Sequence, residues 1–218
     1  MPPHDDASAP LEFARLVRPG AEEIAAIGRI YEEAIPPAER RATSFLAEAF
    51  GSPRYSIFVA REGGQILGFA VLFGGQGFFL LEYMAIHREH RARGIGGDLC
   101  RCVQADVLRE EGAGVLLAEV EADDWDAPDL DVRRKRKRFY RRLGFKDLAG
   151  LGYILPLPGA EAMEPMHLMV CGVEGDRVAR DAVYGWVSQI YAGVYGCGPR
   201  DPRLARTFAS VGDEVAVL

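Results

Sequence analysis

Cysteine is scarce in this sequence: Cys100, Cys102, Cys171 and Cys197 are the only four in 218 residues, and no two stand in a Cys-x-x-Cys spacing. That density excludes a disulfide scaffold and gives little support to a metal site, so reduced thiols in a cytoplasm are the simplest account. No run approaches the roughly 20 apolar residues that span a bilayer. Residues 1–10 carry acids and prolines without the apolar centre of a signal peptide. A soluble, cytoplasmic chain with a flexible N-terminal tail and no membrane partner is expected. Positive charge is outnumbered too: 26 Lys and Arg face 32 Asp and Glu, a net −6, which argues against general nucleic-acid binding. Neither internal repeats nor low-complexity linkers interrupt the chain, and 49% hydrophobic residues suffice for one packed core of domain size.

The periodicities that are present order the chain. Leu11 to Val17 suits a first strand, and residues 21–35 a helix in which Ile24, Ile27, Tyr31 and Ala34 recur at helical spacing until Pro36 and Pro37 end it. Residues 55–60 and 65–73 are apolar runs joined by Arg61-Glu62-Gly63-Gly64, which suits an antiparallel hairpin. The run "FFLLEYMAI" at 78–86 reads as a strand covered on both faces. A helix over 98–111, stopped by Gly112 and Gly114, and a strand over 115–121 complete a strand, loop, helix, strand unit. A basic helix around 132–142, strands near 148–155 and 165–172, and a closing helix near 176–195 follow. That last helix presents Ala179, Ala182, Val183, Trp186, Val187, Ile190 and Val194 along one face.

Between the strand at 78–86 and the next helix lies "RARGIGG", residues 91–97. Backbone N–H groups at a helix start lack intrahelical partners, glycine lets the chain approach a ligand, and the helix dipole favours an anion there. No Gly-Lys-Ser/Thr follows, and Gly94, Gly96 and Gly97 do not make Gly-x-Gly-x-x-Gly, so the two familiar phosphate loops are excluded. A pyrophosphate remains a suitable ligand.

This corner resembles the acyl-coenzyme A loop of the GCN5-related N-acetyltransferase (GNAT) superfamily, Arg/Gln-x-x-Gly-x-Gly/Ala, matched by Arg91, Gly94 and Gly96. A second match lies further on: "FYRRLGF" at 139–145 is similar to the family's Tyr-x-x-x-Gly-Phe, with Tyr140, Gly144 and Phe145 in register. The resemblance covers residues 11–172 and leaves 173–218 as a helical extension packed on the same domain. It implies an α/β (α+β) fold: a mixed, mostly antiparallel central sheet flanked by helices, with two splayed parallel strands, 78–86 and 115–121. It also implies acetyl-coenzyme A as acyl donor, no metal, and direct transfer to an amine of a small molecule, peptide or protein.

Site residues carry over one by one. Backbone groups of Met84, Ala85 and Ile86 would pair with the pantetheine arm as with an added strand. The amides of Ala92, Arg93, Gly94, Ile95, Gly96 and Gly97 would hold the pyrophosphate, with charge added by Arg91 and Arg93. Tyr140 matches the family's frequent general acid. For proton abstraction, Glu82 is the only carboxylate in its strand, where burial would raise its pKa toward a useful range. Glu119 and Glu121, which share a face of the second strand, are the alternatives; His87 ranks below all three. A water chain would serve if no carboxylate is placed.

Other features admit two readings. The run "RRKRKR" at 133–138 follows six carboxylates between 121 and 131. It reads as a solvated helix offsetting that acidic loop, or the loop borders the acceptor site and attracts a cationic amine. Cys100 and Cys102 point to different helix faces and read as packing residues, Trp186 as core, and Trp125 as a contact for acceptor or coenzyme. Pro36, Pro37, Arg40, Arg41 and the chain beyond 172 are candidates for the acceptor pocket. The apolar face of the last helix suits a homodimer or a monomer. The alternative to an enzyme is a non-catalytic acyl-coenzyme A-binding regulatory or partner-docking module, which retention of Tyr140 and a strand carboxylate disfavours.

Overall fold

The computed structural model describes residues 9–37, 39–41, 44–109, 114–124, 127–156 and 166–218. Two left-handed glycines, Gly63 (φ 56°) and Gly64 (φ 83°), close the hairpin between β2 (Tyr55–Glu62) and β3 (Gln65–Gly75). Paired positive φ angles match the right-handed twist of the strands they join. β1 (Leu11–Arg15) lies antiparallel on β2, and with β4 (Phe78–Ile86), β5 (Leu116–Glu121), β6 (Lys146–Asp147) and β7 (Met166–Cys171) the strand order β1-β2-β3-β4-β5-β7-β6 makes one seven-stranded, mixed sheet. Its parallel pair is β4 (Phe78–Ile86) and β5 (Leu116–Glu121).

Two compact units divide the chain: one holds the residues up to Leu72 with Tyr83–Val103, the other Phe73–Glu82 with Gln104–Leu218. The division falls inside β3 and β4.

In the first unit α1 (Ala21–Ala34) buries Ile27 and Tyr31 of the expected stripe and Ile30 beside them, while Ile24 and Ala34 are half-buried. These pack with Phe45, Leu46 and Ala49 of α2 (Ser44–Gly51) against Ile57, Val59, Phe69, Val71 and Ala85 of the strands. α2 leaves no periodic signal in the sequence, because its eight residues are dominated by apolar side chains. A smaller cluster of Ala60, Leu67 and Ile95 gathers Leu11, Phe13 and Ile86. Ile95 opens α3 (Ile95–Val107), which starts three residues earlier than expected, so Ile95, Gly96 and Gly97 lie in its first turn. Residues 110–113, where its stop was placed, lie outside the described residues, as do residues 1–8 of the tail.

In the second unit β5 is central. Phe79, Leu80 and Leu81 of β4 pair with Leu116, Leu117 and Ala118, while β7 (Met166–Cys171) runs antiparallel along all six β5 residues. α4 (Leu130–Arg142) follows β5 in the chain. The strand expected over 148–155 is instead β6, only Lys146–Asp147, because the backbone next turns to other partners. Asp147 exchanges two hydrogen bonds with Leu218 (2.9 and 3.0 Å), and the Ala149 N–H donates to the Ala216 carbonyl (2.9 Å).

The closing helix, α5 (Arg180–Gly193), buries Val183, Trp186, Val187, Ile190 and Tyr191, with Trp186 tilted on Phe78 at 6.4 Å. It begins later than residue 176 because β8 (Arg177–Ala179) pairs with β9 (Glu214–Ala216) ahead of it. The segment after 173 is therefore not purely helical; α6 (Pro202–Thr207) and this two-stranded sheet complete it. At the other end of α5, a Cβ on Gly193 would lie 2.3 Å from the Phe73 ring, so only glycine lets the helix seat there.

Close backbone approach also shapes β4. A Cβ on Gly68 of β3 would lie 2.8 Å from the Ala85 carbonyl oxygen and 2.3 Å from Ile86 Cδ1. We expect Gly68→Val to destabilise the protein by about 2 kcal/mol through overpacking, read as a lower urea midpoint.

Candidate active site

The basic corner follows directly from the end of β4. The His87 N–H donates to the Leu67 carbonyl (2.8 Å), ending the β3–β4 pairing, and one 3-10 turn, Arg88–His90, follows. Glu33 of α1 holds this turn by accepting the Arg88 N–H (3.0 Å), and its carboxylate lies 3.3 Å from His87 Nε2. Arg91 Nε donates back to the Ile86 carbonyl (3.1 Å). The chain then alternates: Ala92 is left-handed (φ 64°) and so is Gly94 (φ 81°). Such alternation turns successive backbone N–H groups toward one side, the geometry of an anion-binding nest. A left-handed alanine costs about 1 kcal/mol, a strain that marks a functional constraint when the surroundings enforce it.

Arg91, Ala92, Arg93 and Gly94 are exposed, whereas Ile95 is buried as the anchor of α3. Within the run the Gly97 N–H is engaged, donating to the Gly94 carbonyl (2.9 Å), as does that of Asp98 (3.2 Å). Arg93 forms a two-pronged pair with Glu62 (2.7 and 3.2 Å) and lies 3.0 Å from His90 Nδ1. Its charge thus fastens the loop to the β2 end of the hairpin, a role the sequence did not indicate. On β4, Met84 and Ile86 are half-buried and Ala85 is buried.

The other candidates belong to the second unit. Tyr140 is buried on α4, with Phe139 and Phe145 each edge-on to its ring at 5.2 Å. Gly144, left-handed at φ 84°, turns the chain so that the Phe145 N–H returns to the Tyr140 carbonyl (3.2 Å). Tyr-x-x-x-Gly-Phe is therefore a helix ending that fixes the tyrosine ring.

The three glutamates differ sharply. Glu82 is half-buried at the β4 position directly after the last paired residue, Leu81. Glu119 stands directly after Ala118, its counterpart on β5, and accepts hydrogen bonds from the phenols of Tyr153 and Tyr195, the latter at 2.7 Å. Desolvation raises the Glu119 pKa to about 6, against the lowering effect of the two phenols. Glu121 is instead ion-paired to Arg136 of α4. Seventy-six residues separate Tyr195 from Glu119, so no local sequence signal could have found that contact.

The basic helix is paired rather than simply solvated. Arg133 and Lys137 are buried: Arg133 binds Asp129 (2.7 Å), and Lys137 Nζ lies 2.7 Å from Asp123 and 3.1 Å from Asp147. Arg141 reaches Asp147 as well (2.7 Å). Burial raises the Asp123 pKa, but the Lys137 ammonium outweighs it and holds the carboxyl below its ordinary value. Donor atoms of Asp123, Asp124 and His167 lie within 4.8 Å of one another, with the Lys137 ammonium also bonded to His167. Trp125, the proposed contact for acceptor or coenzyme, lies outside the described residues. Cys100 is buried in α3 and Cys102 is half-buried, and neither is in a disulfide. Arg41 stacks on Phe45 (4.0 Å) and donates to the Tyr55 hydroxyl (3.1 Å). Among the described residues no helix is long and apolar enough to cross a membrane.

Residues 53–147 match the family described as acetyltransferase (GNAT) domain. Solved structures share the fold. A GNAT-family protein from Bacteroides thetaiotaomicron superposes with a TM-score of 0.69 at 20% identity, covering 86% of this chain and 99% of the other. The ribosomal-protein-S18-alanine N-acetyltransferase of Escherichia coli gives 0.56 at 19% identity, covering 76% and 96%. Arabidopsis thaliana NAA60 in complex with acetyl-CoA gives 0.58 at 14% identity, covering 76% and 100%. No curated protein matches the sequence. The matched stretch is similar to a GNAT acetyltransferase domain, and both motifs that suggested this family lie within it.

Glu119 generates a stability prediction. A pKa of about 6 in the fold, above the ordinary 4.5, means that the protonated form is favoured by folding. Its contribution is fully present below pH 4.5 and is lost as pH rises through about 6. The free energy of unfolding of wild type, measured against Glu119→Gln by urea titration, should fall by about 2 kcal/mol between pH 4 and pH 7.

Proposed function

We propose that the chain is an N-acetyltransferase that moves the acetyl group of acetyl-coenzyme A directly to an amine. The observation that carries this reading is the left-handed alternation at Ala92 and Gly94 ahead of α3, a nest of backbone amides suited to a pyrophosphate. Amides of the run Ala92–Gly96 grip that group. Arg91 adds positive charge beside them, while Arg93, tied to Glu62, sets the loop's position. Backbone groups of Met84, Ala85 and Ile86 align the pantetheine arm by strand addition.

Bound donor supplies a thioester-activated acetyl group; the chain's own residues handle the protons. Glu119 takes the proton released by the attacking amine. Among the described residues its carboxylate is bonded by two phenols, and its pKa of about 6 lies near neutrality, where a base is most effective. Glu82, its counterpart at the same level of β4, is the second acceptor for that proton. Glu121 drops from the set because Arg136 neutralises it. Tyr140 donates a proton to the departing thiolate. The E. coli and Arabidopsis structures named above support an amine acceptor and an acetyl-coenzyme A donor respectively.

Thiol release from acetyl-coenzyme A against a panel of primary amines tests the reading; binding without release for every amine would favour a regulatory module. Tyr140→Phe should lower kcat at least tenfold with coenzyme affinity unchanged, and an unaltered kcat would remove its role as acid. Gly94→Glu should abolish coenzyme binding in calorimetry, because a carboxylate enters the nest and a left-handed φ of 81° strains any side chain.

A further inference from the structure

Among the carboxylates of β5 and the segments beside it, Glu119 is the exception. Glu121 has Arg136, Asp123 has Lys137, and Asp147 has Lys137 and Arg141. Among the described residues no cation pairs with Glu119; one phenol binds each of its oxygens, Tyr153 on Oε1 and Tyr195 on Oε2. Neutral donors stabilise a carboxylate without cancelling its charge, so it keeps its attraction for a proton or an ammonium. The rest of its surroundings agree. Tyr191 of α5 lies between the two phenols, its ring 6.1 Å from that of Tyr153 and 6.5 Å from that of Tyr195, and its hydroxyl donates to the Ile154 carbonyl. Glu121, on the same face of β5, has its charge offset by Arg136. Glu82 stands at the same level on β4.

Neither phenol belongs to residues 53–147, the stretch that matches the family. Tyr153 is held by the segment after β6, where its carbonyl accepts the Met166 N–H (3.2 Å). Tyr195 is held by the end of α5. Gly193 lets that end seat on Phe73, and Gly196, left-handed at φ 67°, turns the chain so that the Cys197 N–H reaches the Tyr191 carbonyl (2.8 Å).

We infer that Tyr195, with Tyr153, is a positioning residue that keeps the Glu119 carboxylate ionised and oriented as proton acceptor, making the segment after residue 173 part of the catalytic machinery. The inference rests on the acetyltransfer reading and deepens it. Each phenol lowers the proton affinity of Glu119 against the desolvation that raises it. Removing one phenol therefore moves the carboxyl titration further upward.

The test uses the full chain with the Glu side-chain carboxyl carbons labelled, the Glu119 signal being assigned by its loss in Glu119→Gln. In Tyr195→Phe the NMR titration midpoint of Glu119 should rise by about one pH unit. The acidic limb of kcat/KM, measured with the amine that gives the fastest thiol release, should move by the same amount. At pH 6 that is a roughly fivefold loss, recovering to within twofold at pH 9. Tyr153→Phe should act in the same direction, and in the Glu119→Gln background Tyr195→Phe should change kcat/KM less than twofold, because the partner is gone. An unmoved NMR midpoint, or a moved midpoint with an unmoved rate profile, overturns the inference. A wild-type chain that releases no thiol against any amine overturns the acetyltransfer reading itself, and this one with it.

Discussion

Three rungs of parallel pairing, Phe79–Leu116, Leu80–Leu117 and Leu81–Ala118, are the constraint on which the second unit depends. They fix Glu82 and Glu119 at one level of adjacent strands, and by the two-residue alternation of strands they set these carboxylates on the face that carries Phe78 and Leu80. Phe78 packs beneath Trp186 of α5, so the helix whose end carries Tyr195 rests on the same face. A slip of one residue would turn every one of these side chains to the other side of the sheet. The apolar run around them, from Phe78 to Leu81, is what makes that slip costly.

Charge is handled differently in two places a short distance apart in sequence. Around α4 the acidic and basic segments neutralise one another, burying Arg133 and Lys137 against Asp129, Asp123 and Asp147. Such pairs tolerate burial because each charge has a partner, and removing one partner leaves an uncompensated charge inside. At Glu119 the partners are hydroxyls, and the price is a raised proton affinity. The first arrangement suits structure; the second leaves a group able to exchange a proton near neutrality.

Much of this was legible in the chain itself. Strand β4 was read to the residue, because nine apolar-rich positions bounded by glycine and a basic corner leave little choice. The place of the bend between β4 and α3 was legible for the same reason, since glycine and arginine after an apolar strand mark a turn before the next helix. What escaped depends on distant pairing. β6 is shorter than the sequence predicts because its neighbour in space is residues 216–218, and the contacts that distinguish Glu119 from Glu121, Tyr195 and Arg136, lie outside the strand. Glu33 and Glu62, which hold the corner, look like ordinary surface acids in sequence.

The hydrogen bonds between Asp147 and Leu218 have a bearing on biogenesis. During synthesis the outer flank of β6 stays without its backbone partners until residue 218 has left the ribosome, long after β4, β5 and β7 have emerged. The nascent sheet would therefore hold an unfilled edge between the emergence of β7 and that of residue 218, a form of the chain open to capture by chaperones or by another nascent strand.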